Sequence, residues 1–226
     1  MLQMTIRAAT AVAGSLGFPS KMPGTSYGIS AHHCKIGAKL HLIKGSTCAD
    51  CYALNGNYIY PSVQKAHAKR LAGITRPEWS IAMATLLLAR HGMVKGRKPH
   101  RKIKRSGRGW HRWHDSGDLQ SIDHLTKICA VAALTPKIRH WLPTRELAIV
   151  LAYIAQGGIV PPNLMIRVSA TMVDGQATSR WHWTSGVHFE HAPIGQVCPA
   201  PTQDNECKDC RACWSFDVPC VSYHKH

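Results

Sequence analysis

The stretch WHRWHDSGDLQSIDHLTKICAVAALTPKIRHWLPTRELAIVLAYIAQGGIVPPNLMIRVS, residues 110–169, decides the fold of this 226-residue chain. Three short apolar runs in it have the length of strands, and the two segments between them carry apolar residues at helical spacing. The predicted strands are 110–114, 138–142 and 164–168, and the predicted helices are 119–134 and 147–156. This alternation indicates parallel strands joined by right-handed crossovers. We therefore expect an α/β fold, a partial parallel (β/α) barrel.

Polar residues stand at the ends of these three strands. Asp118, Arg145 and Ser169 follow successive strands, and the carboxyl ends of parallel strands share one edge of a sheet, where ligands bind. His114 and Asp115 precede Asp118 on the same strand end, so we name these three as candidate catalytic residues. The alternative is that Asp115 or Asp118 only caps the following helix.

Seven of the nine cysteines fall into two sets, which predict metal binding. The sets are Cys34, Cys48 and Cys51, and Cys198, Cys207, Cys210 and Cys213. Four thiolates complete a [4Fe–4S] cluster, whereas three leave one iron free to bind another molecule. Because no export signal precedes them, metal ligation is favoured over disulfides. Zinc is the alternative metal, since zinc sites also use CxxC pairs.

The remaining sequence suggests three segments. They are an irregular segment 1–33 of loop or short strand, the α/β domain 34–192 with further helices at 61–73 and 77–91, and a cysteine-rich metal-binding extension 193–226. No apolar stretch reaches the ~20 residues of a spanning helix. We therefore expect a cytoplasmic protein with no membrane partner.

The chain has a formal net charge of +16, with 28 Lys and Arg against 12 Asp and Glu. Residues 95–112 contain no acid and are interrupted by Gly and Pro, which indicates a mobile basic loop. Such a loop is either a solubilising surface or a contact to nucleic-acid phosphates. The residues expected to make the phosphate contacts are Lys98, Arg101, Lys102, Lys104, Arg105 and Arg108.

These motifs, in this order, resemble those of radical S-adenosylmethionine enzymes. The motifs are CxxCYA at 48–53, and strand ends reading Ser-Gly-Asp at 116–118, Thr-Arg-Glu at 144–146 and Val-Ser-Ala at 168–170. The likeness is distant to spore photoproduct lyase-type members. It is more specific to small phage proteins that carry CxxCYA, a Trp-His-Asp-Ser-Gly-Asp strand end and a C-terminal CxxCxxCW. For a phage-encoded protein the expected location is the host cytoplasm.

The resemblance implies roles for the strand-end residues. The three-cysteine set would hold a [4Fe–4S] cluster that binds S-adenosylmethionine, reduced by a donor such as flavodoxin or ferredoxin. Ser116, Gly117 and Asp118 would contact the methionyl amino group, and Arg145 and Ser169 its carboxylate or the ribose. The four-cysteine set would hold an auxiliary cluster. The implied activity is radical chemistry on a nucleobase or nucleotide.

Two other functions stay open from the sequence. Asp115-Ser116-Gly117 also resembles the Asp-Ser-Gly run of tRNA-guanine transglycosylases, which would mean base exchange with zinc at the C-terminal cysteines. The non-enzymatic alternative is a zinc-stabilised nucleic-acid-binding protein, whose cysteines only fold loops.

Overall fold

The computed structural model describes residues 4–225 and contains one open, seven-stranded sheet. All neighbouring strands pair in parallel, in the order β1-β2-β3-β4-β5-β7-β6. The strands are β1 (Thr25–Tyr27), β2 (Trp110–Trp113), β3 (Arg139–Thr144), β4 (Leu164–Val173), β5 (Thr184–His188), β6 (Gln196–Val197) and β7 (Cys220–His224). The α/β class and the partial parallel barrel are confirmed.

Six α-helices lie within residues 4–225, and all but the second contribute to the hydrophobic core on the outer face of this sheet. They are α1 (Ile6–Ala13), α2 (Ile36–His41), α3 (Pro61–Ile74), α4 (Trp79–Arg90), α5 (Ile122–Leu134) and α6 (Leu147–Ala155). The predicted βαβαβ unit is present as β2-α5-β3-α6-β4. Ser121 caps α5, because its side chain accepts a hydrogen bond from the backbone N of His124, at 3.1 Å. The alternative that Asp115 or Asp118 caps this helix is therefore wrong. Within residues 4–225 no helix is long and apolar enough to cross a membrane.

The N-terminal segment is more regular than expected. Residues 1–33 were predicted to be loop or short strand, but they contain α1 as well as the edge strand β1; positions 1–3 lie outside the described residues. The hydroxyl of Tyr27 donates to the carbonyl of Ala13, at 2.7 Å, and accepts from Nε1 of Trp79, at 3.1 Å. These bonds fasten both elements to α4. The helix was missed because it buries only small side chains, Ala9 and Ala13.

The inner face of the sheet is covered by the C-terminal segment. Side chains alternate across a strand, so Trp141 and Met165 face inward while their neighbours pack under the helices. Trp214 packs edge-on against Trp141, with ring centroids 5.0 Å apart. Strand β7 is inserted between β5 and β6. Residues 193–225, in the segment expected to be a metal-binding extension, therefore contribute β6 and β7 to the sheet and pack against its inner face.

Arg167 holds the C-terminal segment in place. Its side chain is 0% exposed on β4, and its guanidinium donates to backbone carbonyls of the segment. Among them are those of Ala212 (3.2 Å), Ser215 (3.1 Å) and Val218 (3.0 Å). One buried cation thus fixes a long irregular stretch.

The basic loop lies at the opposite edge of the sheet from the strand ends that carry the site. It leads into the start of β2, and it is anchored by the buried Ile103. All six residues predicted to contact phosphates are exposed. Arg112, counted with the loop in the sequence, instead belongs to β2. The loop therefore ends before β2, and Arg112 has a different environment.

Candidate active site at the carboxyl edge of the sheet

A cavity of about 770 Å³ opens at the carboxyl ends of the strands. Its size is typical of small-molecule sites. It is lined by every residue that the sequence assigned to catalysis, to cofactor binding or to the N-terminal metal set: Cys34, Cys48, Cys51, His114, Asp115, Ser116, Gly117, Asp118, Arg145 and Ser169. Residues 135 positions apart in the chain thus meet, as the parallel topology requires.

The thiol loop, residues 34–51, forms one wall of the cavity and is tied to the strand ends. The carboxylate of Glu146 accepts a hydrogen bond from the backbone N of Ile36, at 2.9 Å. The backbone N of Thr47 donates to the carbonyl of Thr171, at 2.9 Å. The side chain of Arg145 donates to Oγ1 of Thr47, at 2.9 and 3.1 Å. The loop is therefore positioned by residues just beyond β3 and in β4.

Gly37 leaves space between the thiols. A Cβ atom added at this glycine would lie only 3.0 Å from Cβ of Cys34, a tight contact, and 3.5 and 3.6 Å from Sγ of Cys34 and Sγ of Cys48, at van der Waals distance. Both sulfurs thus adjoin a space that any larger residue would occupy. Gly37 lies in α2 without the positive φ that would itself favour glycine, so packing gives the reason for a glycine here.

Burial favours the protonated form of the thiols of Cys34 and Cys48. It raises the pKa of Cys34 to about 12, and the nearby Asp118, Cys51 and Cys48 add to this effect. Burial also raises the pKa of Cys48, which the cation of Arg145 partly offsets. A metal would therefore have to displace protons from these thiols.

Asp118 braces the cavity rim. Its Oδ1 accepts from Oγ1 of Thr144 (2.6 Å) and from the backbone N of Leu119 (2.7 Å), and its Oδ2 accepts from the backbone N of Arg145 (2.8 Å). Burial raises its pKa to about 6, although these bonds lower it. Because both oxygens are already bonded, its first role is to join the ends of β2 and β3.

The other residues of the Asp-Ser-Gly-Asp turn have free polar atoms. Oδ1 of Asp115, Oγ of Ser116 and both ring nitrogens of His114 are buried without a hydrogen-bond partner. His114 also has a φ of 52°, a strained conformation for a residue other than glycine. Burial holds its pKa well below the usual value, so the imidazole is neutral. Unpaired buried atoms and strain are typical of a binding site.

Gly117 and Ser169 have structural explanations. Gly117 has a φ of 77°, and a Cβ atom there would lie 2.9 Å from the carbonyl oxygen of Ile29, so only glycine fits the turn. Oγ of Ser169 accepts from Oγ of Ser185, at 3.1 Å, on the neighbouring strand. Ser169 lines the cavity all the same.

The four-cysteine set lies within the C-terminal segment. The four thiols are close enough to influence one another. Charge on Cys198 or Cys207 would raise the pKa of Cys213, and charge on Cys210 would raise the pKa of Cys198 and of Cys207. Burial raises the pKa of Cys213 to about 12, partly offset by its hydrogen bond with Tyr223. That bond joins Sγ of Cys213 and the phenol oxygen at 3.1 Å. Tyr223 also lines the cavity, so it connects the two regions.

No preformed metal site is present in the part of the chain that the structure describes. Among residues 4–225, no three His, Cys, Asp or Glu side chains are grouped so that they could hold an ion. The donors still fit a cluster chemically, since thiolates are the ligands of iron–sulfur clusters and the Gly37 space adjoins two of them.

Several cavity residues were missed by the sequence analysis. They are Gly37, Tyr52, Tyr58, Arg112, Trp141 and Tyr223. Arg112 had a usable signal: in Trp-His-Arg-Trp it alternates with His111, so it faces inward like Trp110. Tyr52 directly follows Cys51, and its hydroxyl donates to the carbonyl of Asp115, at 2.7 Å. The other four carry no local signal.

Fold and cavity together define an α/β protein with an open parallel barrel and a thiol-lined site at the carboxyl edge of its sheet. The gene product 88 family matches residues 3–216, nearly the whole chain. The chain belongs to this phage-type family. No curated protein and no solved structure matches it. The family match lends no support to a relation with radical S-adenosylmethionine enzymes, which stays a prediction.

Proposed function

We propose that the protein is an iron–sulfur enzyme that uses S-adenosylmethionine for radical chemistry on a nucleobase or nucleotide. One observation carries the proposal: Cys34, Cys48 and Cys51 line a cavity at the carboxyl edge of a parallel sheet. Among the described residues no fourth cysteine lines it. A cluster held by three thiolates keeps one iron open.

A reduced cluster with S-adenosylmethionine would supply a carbon-centred radical that abstracts hydrogen from the substrate. The protein's own residues would bind, orient and exclude water. Oδ1 of Asp115 and Oγ of Ser116 are free to accept hydrogen bonds from an amino group. Arg145 offers a cation beside the thiols, although Thr47 already takes two of its donors. Asp118 would act by holding Arg145 in place.

The four-cysteine set would hold a second, auxiliary cluster. One buried arginine supports an anionic centre there: the guanidinium of Arg167 donates to the carbonyl of Cys213, at 3.4 Å. A set of four metal-bound thiolates would compensate this cation. An external one-electron donor of the flavodoxin or ferredoxin class would supply reducing equivalents.

Base exchange of the transglycosylase kind is a second candidate, favoured by one observation. The hydroxyls of Tyr52 and Tyr58 both donate to the carbonyl of Asp115, at 2.7 and 3.5 Å, while Oδ1 of Asp115 is unpaired. Asp115 would then be the carboxylate that faces the sugar, and the C-terminal cysteines would hold zinc.

The test is reductive cleavage of S-adenosylmethionine by anaerobically reconstituted protein, with dithionite as reductant and 5′-deoxyadenosine quantified by chromatography. Wild type should release 5′-deoxyadenosine, and Cys51→Ala should not. Cys129→Ala is the matched control, because this buried thiol in α5 belongs to neither set and should leave cleavage intact. Cleavage by Cys51→Ala, or none by wild type with its iron in place, contradicts the proposal.

A further inference from the structure

The guanidinium of Arg112 lines the cavity with most of its donors unmet. Its Nε is buried without a hydrogen-bond partner. Its two terminal nitrogens reach only Sδ of Met22, at 3.2 Å, and the hydroxyl of Tyr52, at 3.4 Å, among the described residues. A thioether is a weak acceptor, and 3.4 Å is long for a hydrogen bond. The fork of donors is therefore available to a ligand.

Arg112 also has no acidic partner. The ion pairs found between residues 4 and 225 do not include it. The carboxylate of Asp115 raises the pKa of Arg112 from a distance but does not pair with it, because its Oδ1 faces Gly28 instead. Arginine stays charged in proteins, and a buried cation without an anion is costly. An anionic group in the cavity would remove that cost.

Aromatic rings surround this cation. The guanidinium lies 4.8 Å from the ring centroid of Trp141. The Tyr52 side chain is 56% exposed at the cavity, and its ring centroid is 5.7 Å from that of Tyr58. Nucleobases stack on such rings, and a guanidinium binds phosphate with two parallel hydrogen bonds. The combination suits a ligand that is both planar and anionic.

We propose that Arg112 binds the phosphate of a nucleotide substrate whose base stacks on Tyr52. This inference rests on the proposed function, because it names the substrate class of the same cavity. A free nucleoside monophosphate and a nucleotide turned out of a strand present the same chemistry. The net charge of +16 suits either anion.

The test is calorimetric binding to anaerobically purified protein without turnover. The probes are the four ribonucleoside 5′-monophosphates, their nucleosides, and a single-stranded oligonucleotide of roughly ten residues. The best-bound monophosphate should bind wild type roughly ten- to a hundredfold more tightly than its nucleoside, as expected for a charge-assisted pair. Arg112→Met should abolish this difference. Arg112→Lys, which keeps the charge but not the fork, should retain part of it.

Arg139→Met is the matched control. Arg139 also stacks on a tryptophan, with 5.9 Å to the ring centroid of Trp110, but it is exposed at the start of β3, away from the cavity. Its loss should leave nucleotide binding unchanged. If Arg112→Met does not fold, as judged by circular dichroism, Arg112→Lys carries the test. If the oligonucleotide binds more tightly than the monophosphates, and the Arg112 variants weaken its binding in the same way, the substrate nucleotide belongs to a strand. If only the monophosphates bind, the substrate is the free nucleotide.

Three results of the nucleotide measurements overturn the inference. They are equal affinity of wild type for monophosphates and nucleosides, no binding of either, and unchanged nucleotide affinity in both Arg112 variants. Loss of S-adenosylhomocysteine binding in Arg112→Met also overturns it, since Arg112 would then hold the cofactor. Because no step needs iron or turnover, failure of the radical proposal leaves these measurements interpretable.

Discussion

Acidification from pH 7.5 to pH 5 should sharply destabilise the fold, because several histidines are buried uncharged. Burial lowers the pKa of His91 to about 4 and those of His124 and His140 to about 3. It also holds the pKa of His111 well below its usual value. Each would titrate near 6.5 in the unfolded chain. Their contribution to stability is therefore present above pH 6.5 and is lost as the pH falls toward 4.

The size of the effect follows from proton linkage. A pH of 5 lies about 1.5 units below the pKa of each imidazole in the unfolded chain. Protonation of the unfolded chain therefore lowers the free energy of unfolding by about 2 kcal/mol per group. For His91, His124 and His140 together the loss is about 6 kcal/mol, comparable with the whole stability of many domains. His91 and His111 both bond to Oγ1 of Thr25, at 3.0 and 2.9 Å, so a proton on either ring disturbs the other.

Urea unfolding followed by circular dichroism at pH 7.5, 6.0 and 5.0 measures this loss. His140→Phe isolates one group, since the new ring can keep the stacking that His140 makes with Trp113, at 5.9 Å. As the pH falls, the free energy of unfolding of this variant should decrease less steeply than that of the wild type. The difference in slope should be about 1.4 kcal/mol per pH unit, which corresponds to one proton. Stability that is constant from pH 7.5 to 5, or an equal slope in the variant, refutes the reasoning.

Two further changes test the site and the basic loop. Gly37→Ala should raise the helix propensity of α2 but fill the space beside the sulfurs. The iron bound per chain should therefore fall, while the thermal midpoint of the metal-free protein stays the same or rises. Full iron loading in this variant would contradict the role of the glycine. Changing Lys102, Lys104 and Arg105 together to Ala should weaken nucleic-acid binding and lower the salt slope by roughly two to three, measured by fluorescence anisotropy at several salt concentrations. An unchanged slope would leave the loop as a solubilising surface.

The fold was predictable from the sequence where its pattern was local and repeated. The strands and helices between residues 110 and 169 have the right periods, and parallel topology alone then brings Asp118, Arg145 and Ser169 to one edge. Helix α1 was not predictable, because its buried face consists of alanines. The insertion of β7 into the sheet also has no local signal, since it depends on pairing with β5 over a long separation.

Several residues that line the cavity were predictable from the sequence, but their surroundings were not. Cysteine spacing separates the two sets, yet nothing local shows that the thiol loop is tied to Thr171 across the cavity. Charge counting placed Arg112 with the loop, although its alternation with His111 puts it on the inner face. Tyr223 can bond to Cys213 only because β7 lies in the sheet between β5 and β6.

Iron content and absorbance of anaerobically reconstituted protein test the central claim most directly. We predict roughly eight irons per chain and a broad absorbance near 400 nm, as expected for two four-iron clusters. Cys51→Ala and Cys210→Ala should each retain about four irons, and Cys129→Ala should retain all of them. Stoichiometric zinc with negligible iron in the wild type would contradict the account and favour a zinc-stabilised protein.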